Sequence, residues 1–283
     1  MLGKLINGQA IAKKINQNTA RNVKILNKKG VFPKLGVVLV GTDKPSQTYV
    51  RKKQEAAEMV GIKFILKKFP SKISKNKLIE EINNLQKKEK FTGLIIQLPL
   101  PEKLYTPEVL NAVDPSIDVD CLTDVNVGKL VMNTNHIYPP TPYAVITILK
   151  ELKVELAGKT VTIIGMGALV GKPLAIILAN EGCSVISCNS RTVDIKKKCL
   201  MADIIVSGVG KKDLIRGDMI KNGAIVIDTG IVFEDGKMYG DVKREEVIKK
   251  ALYLTPTPGG VGPITVSLLL QNTLLCTKYK TKK

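Results

Sequence analysis

A tyrosine and a lysine four residues apart are the first side chains in this sequence that could do chemistry together. Tyr49 and Lys53 lie in Ser46–Gly61, whose composition favours a helix ending at its terminal glycine. Residues four apart share one face of a helix, so the phenol and the amine would meet the same ligand. Such a pair can stack a flat ligand and move a proton. Taken alone, the stretch is better explained as an ordinary helix with a solvated lysine.

The segments around this helix predict a parallel sheet. The predicted elements are, in order, strand Leu35–Val40, the Tyr49 helix, strand Ile62–Phe69, a helix around residues 78–85, and strand Thr92–Gln97. Alternating strands and helices indicate a parallel sheet that is covered on both faces. Ligands of such sheets bind beyond the carboxyl ends of the strands, where Gln97 and the turn before Tyr49 would meet. Asp120 follows in a polar loop. A lone loop aspartate is usually a turn former, so its functional interpretation depends on its neighbours.

The second half of the chain contains the sequence context of a dinucleotide site. A predicted strand, Thr160–Ile164, leads into the loop Gly165–Pro173, which begins with Gly165, Met166 and Gly167 and precedes an apolar helix. Glycines in this position let backbone N–H groups approach a pyrophosphate at the helix N-terminus. The glycine spacing is one residue longer than the usual fingerprint. The prediction therefore depends on the placement of the loop between a strand and a helix.

The end of the next predicted strand, Ser184–Cys188, indicates which dinucleotide is bound. In NAD-binding domains this strand commonly ends in an acidic residue, which holds the ribose 2′-hydroxyl. Here Ser190 and Arg191 follow instead, and an arginine can bind a 2′-phosphate. This favours NADP over NAD, with an arginine on an exposed turn as an equally weighted alternative. A further predicted strand, Ala224–Asp228, leads to Ile231, which would also face the cofactor.

Two proline-rich stretches divide the chain. Tyr138–Pro142 is predicted to be irregular and to mark a domain boundary, followed by a helix at about Tyr143–Leu152. Thr255–Pro263 is so dense in proline and glycine that it is predicted to be a ligand-facing loop. A last helix is predicted from Ile264 to about Lys278.

Composition narrows the possible classes of protein. The chain has 283 residues, which is enough for two domains, and 44% of them are hydrophobic. No apolar run approaches the ~18 residues of a membrane span, and the N-terminus lacks the pattern of a secretory signal. Five cysteines without a C-x-x-C pair indicate free thiols in the cytoplasm, and a single histidine makes a metal site improbable. The net charge of +19 suggests nucleic acid or a polyanionic small molecule, but the lysines are dispersed and aromatics are only 4%.

Together the motifs resemble one enzyme family over nearly the whole chain. The sequence is similar to the bifunctional methylenetetrahydrofolate dehydrogenase / methenyltetrahydrofolate cyclohydrolases. The matching stretches are Val40-Gly41, Ser46 to Lys53, Gln97 to Pro101, Asp118 to Asp120, Asn126 to Leu130, Val170 to Pro173, Gly240 to Val242 and Pro258 to Pro263.

The resemblance implies an α/β fold of two domains in a cytoplasmic homodimer. Residues 1–142 with about 264–283 would form the folate-binding catalytic domain, and residues 143–263 a Rossmann-type NAD(P)-binding domain, with the C-terminal helix returning to the first. The implied ligands are NADP and tetrahydrofolate derivatives, which we expect to be polyglutamylated and steered by the many lysines. Neither nucleic acid nor a membrane would be a partner.

The resemblance also implies roles for individual residues. Those implied to bind or act on folate are Tyr49, Lys53, Gln97, Asp120, Pro258 and Gly259. Tyr49 would stack on the pterin and aminobenzoyl groups, and Lys53 would be the catalytic lysine of hydrolysis. Gln97 would be hydrogen-bonded to that lysine, and Asp120 would hold the pterin N–H edge through both carboxylate oxygens. Pro258 and Gly259 would line the same cleft.

The chemistry of the two reactions agrees with these roles. A hydride leaves a carbon between two nitrogens whose lone pairs stabilise the cation, so dehydrogenation requires positioning more than a strong base. Hydrolysis requires protons to be moved. Lys53 can do this only if its pKa falls from ~10.4 towards neutrality through burial or nearby positive charge, such as a cationic substrate. Gln97 can orient the amine without the negative charge that would keep it protonated.

Some positions depart from the family's usual residues. The departures are Glu55 for lysine, Cys121 for glycine, Pro140 for cysteine, Met166 and Gly167 for arginine and serine, and Asn189 for histidine. Glu55 lies off the reactive face of its helix and is placed to pair with Arg51. Cys121 is expected to shift the loop after Asp120. The missing arginine weakens the case for a 2′-phosphate site, and Arg191 is positioned to compensate. A dehydrogenase without hydrolysis, an NAD-preferring enzyme and a nucleic-acid-binding protein remain alternatives.

Overall fold

The computed structural model describes residues 2–281 and divides into two compact units. The Lys53 unit contains residues 13–140 and the chain from Val266 onwards. The glycine-loop unit contains the chain up to Ala12 and residues 141–265. Each unit has a parallel sheet of its own, as the alternation of strands and helices predicts.

The described residues form the following regular elements. The helices are α1 Gly8–Lys28, α2 Lys44–Val60, α3 Lys75–Glu89, α4 Pro107–Leu110, α5 Asp124–Val131, α6 Pro140–Glu151, α7 Gly171–Asn180, α8 Ile195–Met201, α9 Arg244–Val247 and α10 Val261–Lys280. The strands are β1 Lys4–Leu5, β2 Lys34–Val40, β3 Lys63–Phe69, β4 Gly93–Ile96, β5 Thr160–Ile164, β6 Ser184–Cys188, β7 Ile204–Ser207, β8 Ile225–Asp228, β9 Val232–Glu234, β10 Lys237–Tyr239 and β11 Tyr253–Leu254. Short 3-10 turns lie at Glu102–Leu104 and Gly217–Met219.

The sheet of the Lys53 unit has the parallel order β3-β2-β4 and is buried on both faces. Alternate residues of β2 enter two separate cores, because successive side chains of a strand point to opposite faces. Val37 and Leu39 belong to a core that includes residues of α1, α2 and α10. Val38 and Val40 belong to a second core, which includes residues of α3. This double burial explains why β2 reads as a continuous apolar run.

The second half of α10 belongs to the core of the Lys53 unit. Leu270 and Leu274 lie in the same cluster as the α1 and α2 side chains. Thr273 packs directly on β4, because a Cβ added at Gly93 would lie 2.9 Å from its Oγ1. The C-terminal residues therefore form part of the scaffold around β4, although the 125 residues of 141–265 belong to the other unit.

The sheet of the glycine-loop unit has the order β1-β11-β8-β7-β5-β6, with parallel pairing throughout. The edge strand β1 comes from the N-terminus, which the sequence assigns to the other domain. Lys4 and Leu5 pair with Tyr253 and Leu254 of β11. A two-residue strand has too little periodicity to be recognised from sequence, and β11 is equally short.

Two predictions about the proline-rich stretches are wrong in detail. The Tyr138–Pro142 stretch is not irregular throughout, because α6 begins at Pro140. Likewise α10 begins at Val261, three residues before the predicted start and inside the predicted loop. Proline is accepted in the first turn of a helix, where its missing N–H has no intrahelical partner. In both cases the proline lies in the turn that opens the helix.

Among residues 2–281 the helices are all too short or too polar to cross a membrane. The five cysteines are free thiols. In the same part of the chain the histidine, cysteine and acidic side chains form no cluster of three that could hold a metal ion.

Candidate active site

Helix α2 is held at both ends by caps that fix which face it presents. Asp43 is the N-cap, and its carboxylate accepts a hydrogen bond of 2.8 Å from the N–H of Ser46. Gly61 ends the helix in the left-handed conformation, with φ at +80°, as the sequence predicts. The buried residues of α2 include Val50 and Ala57. Tyr49 and Lys53 are partly buried side chains on an adjoining face, one helical turn apart.

The lysine and the glutamine predicted from sequence are in direct contact. The Lys53 amine donates a hydrogen bond of 3.0 Å to Oε1 of Gln97. Nε2 of Gln97 donates to the carbonyl of Leu98 at 2.6 Å, so the amide is oriented with its oxygen towards the lysine. Gln97 is buried directly after β4, at the carboxyl end of that strand. The parallel sheet therefore places it where the sequence predicts.

The two aspartates of the 118–120 loop have different surroundings. Asp118 is buried and organises the backbone: its carboxylate accepts from the N–H groups of Leu122 and Thr123, the Thr123 hydroxyl, and Nδ2 of Asn126. Asp120 is only partly buried and interacts electrostatically with Lys53. Asp118 thus fixes the loop, and Asp120 is the carboxylate whose charge acts on the lysine.

A residue of α10 holds the same loop from its other side. Nδ2 of Asn272 donates to the carbonyl of Val119 at 2.9 Å and to that of Tyr138 at 2.7 Å. The Val119 side chain packs on β4, because its Cγ1 would lie 2.9 Å from a Cβ added at Gly93. Asp120 therefore follows a residue whose backbone and side chain are both fixed. The sequence analysis does not identify Asn272. The only sequence feature that could have indicated its role is that it is a polar residue within an apolar helix.

Burial shifts the pKa values of Lys53, Asp120 and Tyr49. Burial lowers the pKa of the Lys53 amine, while the negative charge of Asp120 acts in the opposite direction. Burial raises the pKa of Asp120; Lys53 opposes this shift and Asp118 adds to it. Burial also raises the pKa of the Tyr49 phenol. Lowering the pKa of an amine increases its neutral fraction near neutrality, which is what proton transfer by a lysine requires.

Cys121 has a backbone conformation that favours glycine. Its φ is +56°, in the left-handed region that costs ~1–2 kcal/mol for a residue with a Cβ. The side chain is buried in the same core as Val37 and Leu270, which offsets part of that cost. Burial raises the pKa of its thiol well above the usual value, so the thiol stays protonated and unreactive.

In the glycine-loop unit, the predicted cofactor residues lie at the carboxyl edge of the sheet. Gly165 directly follows β5 and has φ at +98°. A Cβ at this residue would lie 2.6 Å from the carbonyl oxygen of Gly208, so only glycine fits. Gly171 opens α7, and a Cβ there would overlap the carbonyl oxygen of Gly165. The loop around Met166 and Gly167 is therefore held close to the start of α7.

The turn that carries Ser190 and Arg191 lies beside this loop. Strand β6 pairs with β5, and the N–H of Gly165 donates to the carbonyl of Cys188 at 2.9 Å. Asn189 stabilises the turn, because its Oδ1 accepts from the N–H of Arg191 at 2.9 Å. Ser190 and Arg191 are both exposed, so the guanidinium is available to a ligand at this edge.

Ile231 lies on the same edge of the sheet. The segment after β7 lies between Ile231 and the glycine loop. Residues 208–211 contact both the glycine loop and Ile231. Cγ2 of Val209 would be 3.2 Å from a Cβ added at Gly165. A Cβ added at Gly210 would be 3.4 Å from the carbonyl oxygen of Ile231. Val209 and Ile231 are exposed apolar side chains. The sequence analysis misses Val209. The Gly-Val-Gly sequence after a buried strand is the signal that could have found it.

The residues of this edge fit a dinucleotide. A Cβ at Gly167 would meet nothing within 4 Å, which leaves open space in front of the loop. The N-terminus of a ten-residue helix, α7, begins behind the loop and favours negative charge. Arg191 supplies a cation at the end of β6, and Val209 and Ile231 supply apolar surface for a planar ring. These features suit phosphates at one end and an aromatic ring at the other.

A buried acid at the end of β8 makes the stability of this unit depend on pH. Burial raises the pKa of Asp228 to about 6, from an ordinary value of 3.8. An acid with a raised pKa binds its proton more tightly in the folded state, so its contribution is present at low pH and lost as pH rises through 6. We expect wild type to gain about 1.4 kcal/mol over Asp228→Asn between pH 8 and pH 5. Urea unfolding of both proteins at these two pH values measures the difference, and parallel behaviour would contradict the raised pKa.

Pro258 and Gly259 belong to the glycine-loop unit, between β11 and α10. Pro258 is exposed, and Gly259 has φ at +97°, a conformation that requires glycine. Their role towards folate stays a prediction.

Two features together define the class of protein. A parallel sheet with a glycine loop and a phosphate-compatible helix start is a dinucleotide-binding domain of Rossmann type. A second α/β unit with a lysine whose pKa is lowered and an oriented amide provides groups for proton transfer. The class is a two-domain enzyme that depends on a dinucleotide.

Comparison with known proteins identifies the family. Residues 6–120 match the profile of the tetrahydrofolate dehydrogenase/cyclohydrolase catalytic domain, and residues 139–281 match that of its NAD(P)-binding domain. The bifunctional protein FolD of Campylobacter concisus is 43% identical over 281 residues, which is 99% of each chain. This chain belongs to the tetrahydrofolate dehydrogenase/cyclohydrolase family.

Solved structures agree with this assignment. The bifunctional methylenetetrahydrofolate dehydrogenase/cyclohydrolase FolD of Campylobacter jejuni has a TM-score of 0.95 and 39% identity, covering 98% of this chain and 99% of that one. The FolD enzyme of Trypanosoma brucei, solved with NADP and an inhibitor, has a TM-score of 0.95 and 38% identity, covering both chains fully. The predicted fold class of two α/β domains, one of them NAD(P)-binding, is thereby confirmed.

Proposed function

We propose that this protein oxidises 5,10-methylenetetrahydrofolate to 5,10-methenyltetrahydrofolate with NADP and then hydrolyses the product to 10-formyltetrahydrofolate. The observation that carries the proposal is the hydrogen bond between Lys53 and Gln97 in a chain that belongs to this family. A dehydrogenase without hydrolysis would have no need for a lysine with a lowered pKa.

In the hydrolytic step, water adds to the methenyl carbon and gives up one proton. The resulting hydroxyl loses the second proton to solvent as the bond from that carbon to N5 breaks, and N5 takes up the first. The neutral fraction of the Lys53 amine accepts and returns the proton. The amide of Gln97 holds the amine through its oxygen, which orients the nitrogen lone pair without adding a charge. Burial favours the neutral amine, and a cationic substrate lowers the pKa of Lys53 further.

The folate is held by the remaining groups of the Lys53 unit. Tyr49 is proposed to stack on the flat rings, and its partly buried position one helical turn from Lys53 supports this role. Asp120 accepts hydrogen bonds from the N–H groups of the pterin, which requires its charged form. Lys53 supports that form, because its charge opposes the increase in the pKa of Asp120. Pro258 and Gly259 contribute to the folate site in this proposal.

NADP supplies the acceptor for the hydride when it is bound. Gly165, Met166 and Gly167 would hold the pyrophosphate through the backbone, and Ile231 would pack against the nicotinamide end. Ser190 and Arg191 would bind the 2′-phosphate through a hydroxyl and a guanidinium. The exposed position of Arg191 supports this assignment. Because Met166 and Gly167 are uncharged, Arg191 is the cation that we propose selects NADP over NAD.

The proposal also includes a homodimer in the cytoplasm that acts on polyglutamylated folates. The 44 lysines and arginines against 25 acidic residues support attraction of a polyanionic glutamate tail. The expected result for the oligomer is a light-scattering mass twice that of the chain. A single-chain mass at micromolar concentration would contradict the dimer.

The function is tested directly with the purified protein. Methylenetetrahydrofolate and NADP, or NAD, are mixed with the enzyme, and methenyl formation and decay are followed by absorbance. We expect formation with NADP to exceed that with NAD, and the methenyl compound added alone to be hydrolysed faster than in buffer. Unchanged substrate together with DNA binding that weakens steeply with salt would favour a nucleic-acid-binding protein instead.

A further inference from the structure

The buried carboxylate of Asp241 lies under the loop that packs against the cofactor glycines. Asp241 is fully buried, between β10 and α9 in the chain. Its Oδ2 accepts from the Ser207 hydroxyl at 2.6 Å and from the N–H of Val209 at 2.7 Å. Its Oδ1 accepts from the N–H groups of Gly210 at 2.9 Å and Lys211 at 2.8 Å. One side chain thus binds three consecutive backbone donors.

Those three donors are the last three residues of the 208–211 segment, whose first residue is held separately by a hydrogen bond of 2.9 Å from the N–H of Gly208 to the carbonyl of Ile164. Val209, Gly210 and Lys211 are exposed, and Gly210 has φ at +77°. An exposed loop of this kind adopts many conformations unless its backbone groups are bound. Three successive N–H groups converging on one carboxylate select a single conformation, in which Val209 lies against Gly165.

A second buried acid completes the arrangement on the next strand. Asp228 accepts from the N–H of Gly230 at 2.9 Å and from that of Val242 at 3.0 Å. Gly230 packs so closely on Asp241 that an added Cβ would overlap its carboxylate oxygens. The carboxylate of Asp241 therefore lies between the segments that carry Val209 and Ile231, and it contacts both.

We propose that Asp241 is a positioning residue for the dinucleotide, which shapes the 208–211 loop through its three backbone N–H groups and so sets Val209 against Gly165. Because Asp241 is fully buried, it would act through the loop and not by direct contact with the cofactor. This inference rests on the proposed function only in the identity of the dinucleotide. It assigns a physical role to the second residue of the Gly240-Asp241-Val242 motif.

Substitution by asparagine tests the role of the two carboxylate oxygens. Asp241→Asn keeps the size of the side chain but replaces one acceptor oxygen by an NH2 group, which would face N–H donors. We expect amide exchange in the 208–211 segment, measured by mass spectrometry in the protein without cofactor, to become at least tenfold faster. We expect the Kd for NADP, measured by calorimetry, to increase by about tenfold or more.

Ser207→Ala is the matched control, because it removes one of the four hydrogen bonds and leaves the three backbone donors bound. If Asp241 acted only through general stability, both variants would weaken NADP binding in proportion to their loss of thermal stability. We expect Ser207→Ala to lower the Tm while leaving segment exchange and the Kd for NADP within twofold of wild type. Gly230→Ala, which displaces the carboxylate without changing its charge, should reproduce the effect of Asp241→Asn.

Three results would overturn the proposal: an unchanged Kd in folded Asp241→Asn, unchanged exchange in the segment, or equal effects of Ser207→Ala. Hydrolysis of the methenyl compound without cofactor provides a separate readout, since it uses the Lys53 unit. We expect it to stay within twofold of wild type in Asp241→Asn. If wild type binds NADP but transforms no folate, the proposed function fails while the role of Asp241 is still measured.

Discussion

Lys53→Met is expected to lower the rate of methenyltetrahydrofolate hydrolysis by about a thousandfold, which corresponds to roughly 4 kcal/mol of the barrier. Methionine preserves most of the length and apolar character of the lysine stem but has no group that can accept or return a proton. The partner amide of Gln97 would remain in place, oriented by its bond to the carbonyl of Leu98. The loss would therefore report the amine itself.

The dehydrogenase activity of this variant is expected to stay within about tenfold of wild type. Hydride transfer depends on positioning and on the nitrogen lone pairs of the substrate, so the amine contributes little to it. The two activities measured on one preparation make the variant its own control for folding. Lys52→Met is the matched control, because Lys52 is exposed and directly precedes Lys53 in α2. It should leave both activities unchanged.

The pH dependence of hydrolysis provides a second check on the same residue. Since burial lowers the pKa of Lys53, the neutral amine is populated at a lower pH than for a free lysine. The wild-type rate should rise with pH to a plateau, with a midpoint below 10.5. Hydrolysis by Lys53→Met at a rate near that of wild type would remove the lysine from the mechanism.

Arg191→Ala is expected to raise the KM for NADP by about 10–100-fold and the KM for NAD by less than threefold. Loss of a hydrogen bond between two charged groups costs about 1.5–3 kcal/mol, and only NADP has the 2′-phosphate that would receive it. Arg191 is exposed on the turn after β6, next to the glycine loop. The glycine loop has the uncharged residues Met166 and Gly167, so these two positions offer no substitute for the Arg191 cation.

Steady-state kinetics with the two cofactors measures this difference. Lys197→Ala is the matched control, since it removes an exposed positive charge on α8, a few residues further along. It should change both KM values by less than twofold. Equal increases for NADP and NAD in Arg191→Ala would show that the arginine does not distinguish the phosphate.

Local sequence patterns predicted most of the helices and strands that carry the site residues. The helix of Tyr49 and Lys53 is bounded by an N-cap aspartate and a C-terminal glycine that can both be read from sequence. Strands β5 and β6 have the bounds predicted, because each is a short β-rich run between glycine and polar residues. The pair of Arg51 and Glu55 also forms, at 3.8 Å, as the spacing on the helix predicts.

Sequence patterns could not predict the two-residue strands or the long-range contacts. Strand β1 exists only because β11 offers an edge about 250 residues later, and neither has a periodicity that could reveal it. Asn272 binds the carbonyl of Val119 from a helix at the far end of the chain. Such contacts join residues whose distance in sequence carries no information about their distance in space.

The sequence by itself determined the residue types of the candidate site, the order of strands and helices, and the edge of each sheet at which these residues lie. Only the tertiary structure decided the surroundings and the roles of the acids. It distinguished Asp118, which caps a loop, from Asp120, whose charge acts on Lys53. It buried Asp241 beneath the 208–211 loop. The physical reason is that the role of an acid depends on its burial and on the donors and charges near it, and these are properties of the packed chain.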